Sequence, residues 1–428
     1  MILEIIAGGI FIVMYAVIVS EKIHRTVAAM IGAVLMMLLG ILSQEEAIHH
    51  IDFNTLGLLT GMMILVGVTS HTGLFDFVAI WAAKKANAEP KKILTYLGII
   101  TAVFSAFLDN VTTVLLMVPV TFSITKQLEL NPMPFLLTQI MASNIGGTAT
   151  LIGDPPNIMI GSAVKELTFM AFIQNLAPIV VIQMVVVIFI FEFLYKKELS
   201  TRPELQKELM KMDEYAALKD KKLLNKALFV LGLTILGFFT HQLHHVESSL
   251  MALAGGFLLL LLAGGGHHLV ESTMKSKVEW ATIFFFIGLF IAVGGLIEVG
   301  VIGKLAKAAV EITGGDVTAT SLLVIWLSAI VSSVLDNIPF VATMIPLIQN
   351  MGAMGVSNLE PIWWSLALGA CLGGNGTLVG ASANLIVAGL AADRGVRITF
   401  IDYFKVGFPI MILTIVMATV YVYFRYLV

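Results

Sequence analysis

The 428-residue sequence predicts an all-α polytopic membrane protein with two inverted-topology repeats, about ten transmembrane helices, two re-entrant hairpins and two broken helices. Three observations predict it. Hydrophobic residues make up 58% of the chain and charged residues 12%, with a mean hydropathy of +0.96, a composition suited to lipid rather than water. Two polar motifs recur inside apolar stretches at a fixed offset of 227 residues. Lysine and arginine are spread unevenly over the loops, as a fixed orientation in a membrane requires.

In chain order, apolar runs at about 2–19 and 26–42 read as the first spans. The leading run lacks a small-residue cleavage site, so it reads as a span rather than a signal peptide. The stretch 55–83 reads as one long helix, and 91–125 as two arms around a polar middle, a re-entrant hairpin. One long tilted helix and a double crossing are the alternatives that hydropathy leaves open. A Gly-rich helix at 133–165 and a span at 172–195 follow, then a polar loop, then spans at 226–242 and 248–263. The second half repeats the order with a long helix at 279–311, a hairpin at 318–349, a Gly-rich helix at 360–392 and a last span at 403–426. The expected division is 1–51, 52–165 (first repeat), 166–195, 196–225 (connecting loop), 226–278, 279–392 (second repeat) and 393–428.

The loop 196–225 carries eight Lys and Arg residues, from Lys196 to Lys222, which assigns it to the cytoplasm. Counting spans outward then places both termini outside and 21 of the 25 basic residues inside, Arg25 among them. Only Lys165, Lys304, Lys307 and Arg425 fall outside. Because the loop also holds Glu198, Glu204, Glu208, Asp213, Glu214 and Asp220, it reads as a solvated linker between halves.

The repeat is read from "FLDNVTTVLLMVP" at 107–119 and "VLDNIPFVATMIP" at 334–346, identical at six of 13 positions. "NIGGTATLIGDPPN" at 144–157 and "CLGGNGTLVGASAN" at 371–384 match at six of 14 with the same offset. Five spans separate corresponding points, and an odd number inverts the second unit relative to the first. Inverted repeats with broken helices are the architecture of secondary transporters, whose site lies near the bilayer midplane.

Chemistry follows from the polar residues at those breaks. Asp109 with Asn110, and Asp336 with Asn337, sit where each hairpin turns, and an ionisable residue at membrane depth points to function. The plainer alternative is that each Asp caps the returning arm. In the first Gly-rich motif, Gly146, Gly147 and Gly153 permit an unwound chain, Pro155 and Pro156 stop the helix, and Asn144, Thr148, Thr150 and Asn157 supply polar groups. In the second, Asn375, Thr377, Ser382 and Asn384 take that place. The repeats differ at Asp154, which aligns with Ala381, and at Thr112, which aligns with Pro339. Asp109, Asp154 and Asp336 are therefore the expected sites of proton or cation coupling.

Other functions find no support in the residues. No nucleotide-binding P-loop is present, and the formal charge of −3 does not favour nucleic acid. A single cysteine, Cys371, excludes a multi-thiolate metal cluster, and neither a resident metal, a cofactor nor a catalytic residue is expected. Within the two long helices, His71 aligns with Glu298 as a relay candidate or an interfacial residue. Cys371, aligned with Asn144, reads as a small packing residue; His49, His50, His244, His245, His267 and His268 read as interfacial.

The pairing of "FLDNVTTVLLMVP" with "SNIGGTATLIGDPPNIMIG" resembles the signature of an ion transporter superfamily branch. That branch contains the arsenite efflux permeases, related bacterial sodium/proton antiporters and the melanosomal P protein, and the resemblance runs over nearly the whole chain. The dicarboxylate carriers of the wider superfamily have Ser-Asn-Thr hairpin tips, unlike "LDNVTT" and "LDNIPF" here. Carried over by position, the resemblance implies a solute site at Asn110, Thr112, Asn144, Thr148, Thr150 and Asn157, and at Asn337, Asn375, Thr377 and Asn384, with coupling at Asp109 and Asp336. It implies arsenite or antimonite efflux from the cell in exchange for protons, with sodium/proton antiport and an anion channel as alternatives. It further implies a separate cytoplasmic ATPase and a homodimer as partners beside the lipid bilayer.

Overall fold

A computed structural model describes residues 1–20, 22–240, 246–264 and 266–428, and these contain helices and no strand. The chain opens with α1 (Ile2–Ser20), α2 (Arg25–Leu38) and the short α3 (Gln44–His49). Next come α4 (Phe53–Ser70), α5 (Leu74–Lys85), α6 (Pro90–Phe107), α7 (Asn110–Gln127), α8 (Met133–Gly147) and α9 (Pro155–Ala163). α10 (Phe169–Leu194) leads into a connecting segment holding α11 (Pro203–Met210) and a 3-10 turn, Glu214–Ala217. α12 (Lys221–Thr240), α13 (Ser248–Leu262) and α14 (His267–Ser276) follow. The last stretch comprises α15 (Trp280–Glu298), α16 (Val301–Thr313), α17 (Val317–Val334), α18 (Asn337–Ala353), α19 (Glu360–Gly373), α20 (Ser382–Ala392) and α21 (Phe400–Val422).

Among the described residues, seven helices have the length and apolarity to cross a bilayer, α1, α4, α10, α12, α15 and α17 among them. At 1.5 Å per residue an 18-residue helix such as α4 extends about 27 Å, close to the hydrocarbon thickness. α1, α10 and α12 keep large apolar side chains exposed, including Ile12, Phe189 and Phe229, as a lipid-facing surface does.

One expectation needs correction. The stretches 55–83 and 279–311 are not single helices. Each breaks at a glycine in the left-handed region, Gly73 at φ 79° and Gly300 at φ 78°, which ends one helix and starts the next. Hydropathy runs through the break because apolar residues flank it on both sides. His71 and Glu298 therefore sit at exposed helix ends and not within long helices, and Glu298 pairs with His50 at 3.1 Å.

The segment 196–225 is exposed over most of its length, as a solvated linker would be, and it is also docked at several points. Leu209 is fully buried, Thr201 donates to Leu128 O at 2.6 Å, and Lys219 N donates to Thr72 O at 3.0 Å. Lys84 donates to Met212 O at 2.8 Å and pairs with Glu214, whose carboxyl that hydrogen bond holds below its ordinary range. Charges on this segment are used in docking as well as in hydration.

The breaks that shape the centre lie between α6 and α7, α8 and α9, α17 and α18, and α19 and α20. α6 lies against α8 and α17 against α19 at matching residues. A side chain at Gly146 would run into Ala102, and one at Gly373 would meet Ala329. Small residues at both crossings let the backbones approach, as membrane helix pairs require.

Candidate functional site

Each unwound stretch is held open by one asparagine. Asn157 donates through Nδ2 to Thr148 O at 3.1 Å and Thr150 O at 2.9 Å. Asn384, 227 residues on, donates to Gly374 O at 2.8 Å and Thr377 O at 2.9 Å. Carbonyls freed where the helix stops are thus satisfied by side chains, without which they would be costly away from water. The threonines complete the brace: Thr150 Oγ1 donates to Ala106 O and Thr377 Oγ1 to Ser333 O, tying each unwound chain to the neighbouring hairpin. Thr148 returns its hydroxyl to Asn144 O at 2.8 Å, a local helix bond.

With their Nδ2 groups occupied, Asn157 and Asn384 present Oδ1 inward, and the two broken helices cross there. Asn144 Nδ2 donates to Asn384 Oδ1 at 3.0 Å and also to Asn375 Oδ1 at 2.9 Å. In the reciprocal contact Cys371 Sγ donates to Asn157 Oδ1 at 3.6 Å. Asn144 and Cys371 are the same position in the two motifs, as are Asn384 and Asn157, so the crossing has approximate twofold character. Asn110 joins from its hairpin turn by donating to Asn144 Oδ1 at 3.2 Å. Asn144, Asn157, Asn375 and Asn384 are all fully buried, and Asn375 Nδ2 has no partner.

Asp154 breaks the symmetry. It is fully buried and begins α9, yet it makes no capping bond to that helix. Asn337 donates to its Oδ1 over a long 3.4 Å, while Oδ2 has no hydrogen-bond partner; the thiol of Cys371, a weak donor, interacts with the carboxyl group. Its counterpart Ala381 carries no such group. Among the described residues Asp154 is the one Asp or Glu that is fully buried, and no Lys, Arg or His side chain is buried with it.

The remaining expected residues divide in two. Asp109 stays at the hairpin turn and caps α7, taking Thr112 N at 2.8 Å and Thr112 Oγ1 at 2.5 Å, so neither residue enters the asparagine network. Asp336 accepts from Ile338 N at 3.2 Å and is otherwise engaged with Arg25, which counting loop charges had placed in a connection only. No pattern in the sequence marks that contact, which spans 311 residues. His49 and His50 line a cavity of about 390 Å3 with Asp52, and no cluster of metal-ligating side chains occurs among the described residues. His244 and His245 lie outside the described residues.

A family model described as a citrate transporter matches residues 15–369. An uncharacterized transporter of Mycobacterium tuberculosis is 40% identical over 432 residues, covering 100% of this chain and 99% of that protein. The P protein of Homo sapiens is 33% identical over 491 residues, covering 96% of this chain and 58% of that protein. The crystal structure of the Alcanivorax borkumensis YdaH transporter superposes with a TM-score of 0.61 over 92% of this chain and 88% of that one. At 15% identity that likeness concerns the fold alone.

Proposed function

The chain belongs to the citrate-transporter family, and from that premise and the asparagine core we propose that it is a secondary transporter with its solute site at Asn144, Asn157, Asn375 and Asn384 and its coupling group at Asp154. It is a multi-pass membrane transport protein and not an enzyme. We read its two repeats as oppositely oriented, with alternating access arising from movement of one against its surroundings. The Lys and Arg distribution supports a cytoplasmic 196–225 segment.

The observation that carries the solute reading is a buried core of amides, hydroxyls and one carboxylate, without a buried cation among the described residues. A bare tricarboxylate beside Asp154 would meet like charge in a poorly hydrated place, so citrate by itself fits badly. An anion channel meets the same objection. An uncharged polyhydroxylated solute fits better, because it can accept from Asn375 Nδ2 and donate a hydroxyl to Asp154 Oδ2, the two unpartnered atoms of the core. Efflux of trivalent arsenic or antimony as the hydroxide, in exchange for protons taken at Asp154, is the reading we favour. Sodium/proton antiport is the second reading, supported by Asp154 Oδ2, a hard oxygen without a conventional hydrogen-bond donor.

Everted membrane vesicles with an acid interior separate the two. Arsenite accumulation that collapses with the proton gradient and is lost in Asp154→Asn supports the first. Dissipation of the gradient by sodium, with no arsenite uptake, replaces it with the second.

A further inference from the structure

Arg25 begins α2, outside both repeated motifs, yet its guanidinium reaches the second. Nη1 donates to Asp336 Oδ2 at 2.7 Å and to Ser382 Oγ at 2.6 Å, and Ser382 Oγ donates to the same Asp336 oxygen at 2.7 Å. The guanidinium rests over the Phe285 ring, 5.0 Å from its centroid, which fixes its approach. One cation thus joins three elements: α2, the turn between α17 and α18, and the first residue of α20.

Each anchor lies one or two residues from the buried network. Asp336 precedes Asn337, which donates to Asp154; Ser382 stands two residues before Asn384, which accepts from Asn144. On the other side of the triad lies a cavity of about 290 Å3, lined by Arg25, Asp336 and Ser382 together with Tyr15, Pro339 and Leu385. The side chains of Arg25 and Asp336 are 26% and 13% exposed, so the pair stands at the boundary between that cavity and the closed core. The first motif has nothing comparable. Pro155 occupies the place of Ser382, and both Asp109 oxygens are taken by Thr112.

We propose that Arg25 is a gating residue: by binding Asp336 and Ser382 together it closes the passage from this cavity to the asparagine core, and the passage opens when the triad separates. The inference rests on the core being the solute site. It makes access one-sided, because only the second hairpin carries the latch. Arg25 acts through Asp336 and Ser382 and is a positioning residue.

The test reads accessibility without any solute. In a Cys371→Ser background, Ala381→Cys places a reporter on the core side, since Ala381 is 2% exposed; Ser123→Cys, on the exposed face of α7, is the control. Maleimide labelling at 381 should rise roughly tenfold or more in Arg25→Met and again in Asp336→Asn, a partly exposed ion pair being weaker than a dry one. Arg25→Lys should give an intermediate rate, because an ammonium keeps the charge but loses the planar contact with the Phe285 ring. Should Arg25→Met fail to fold, Asp336→Asn poses the same question from the other partner. Labelling at 381 that stays at the parental rate in the folded variants, with the control unchanged, overturns the gate. Vesicles that respond to neither arsenite nor sodium while labelling still rises overturn the solute reading and leave the gate standing.

Discussion

Asn144→Ala removes the residue on which the two broken helices meet. Three hydrogen bonds disappear, those donated to Asn375 and Asn384 at 2.9 and 3.0 Å and the one accepted from Asn110 at 3.2 Å. Hydrogen bonds between membrane helices average about 0.6 kcal/mol and reach about 1.7, so three give about 2 kcal/mol and at most about 5. Asn384, Asn375 and Asn110 are 0, 0 and 5% exposed, so their orphaned groups gain little from water and the upper half of that range is expected. Reversible unfolding in mixed micelles measures it, and a double-mutant cycle with Asn384→Ala isolates one contact, expected to couple by about 1 kcal/mol. The duplicated position supplies an internal control. Asn144→Cys copies Cys371, retains a weak donor and should lose less than Asn144→Ala. Cys371→Asn copies Asn144, offers Asn157 Oδ1 a stronger donor and should be tolerated. A loss below about 0.5 kcal/mol for Asn144→Ala, or a cycle that closes additively, would refute the crossing as a holding contact.

Asp109→Asn should keep transport and lose about 1 kcal/mol or less of stability, since Asp109 serves as a cap and Asn caps nearly as well; loss of coupling equal to that of Asp154→Asn contradicts this. Gly73→Ala places a methyl against Ala217 O at a left-handed position and should release the 196–225 segment, read as faster protease cleavage there at unchanged helix content. Glu214 has its folded pKa lowered from 4.5 by the Lys84 hydrogen bond, so its contribution is present above that value and is lost as pH falls below it through the folded pKa. Amide exchange over residues 209–218, corrected for intrinsic rate, should therefore rise on acidification below pH 4.5, and Lys84→Met should remove most of that rise.

The duplication and its polar breaks were legible because they depend on short local strings: glycines to unwind, prolines to stop a helix, an Asp to cap. Asn144, Asn157, Asn375 and Asn384 were found for that reason, and the structure brings them together. What the strings did not give was direction. Nothing in "LDN" tells that Asp109 turns to Thr112 while Asp336 turns to Arg25, because the partner of the second lies 311 residues away. Nor does hydropathy register a left-handed glycine, which is why Gly73 and Gly300 were hidden within apolar runs although they share the offset of 227. The reciprocal role of Cys371 had a signal in its alignment with Asn144, but the expected reading is a small packing residue and does not include a donor role.

The docked segment bears on how the chain is made. Its partners, Thr72, Lys84, Leu128, Glu129 and Asn131, all precede it in sequence. Chains fold from the N-terminal side as they are synthesised. The segment can therefore settle onto completed helices while the remainder is still on the ribosome, and the latter half then inserts from a fixed starting point instead of a loose tether.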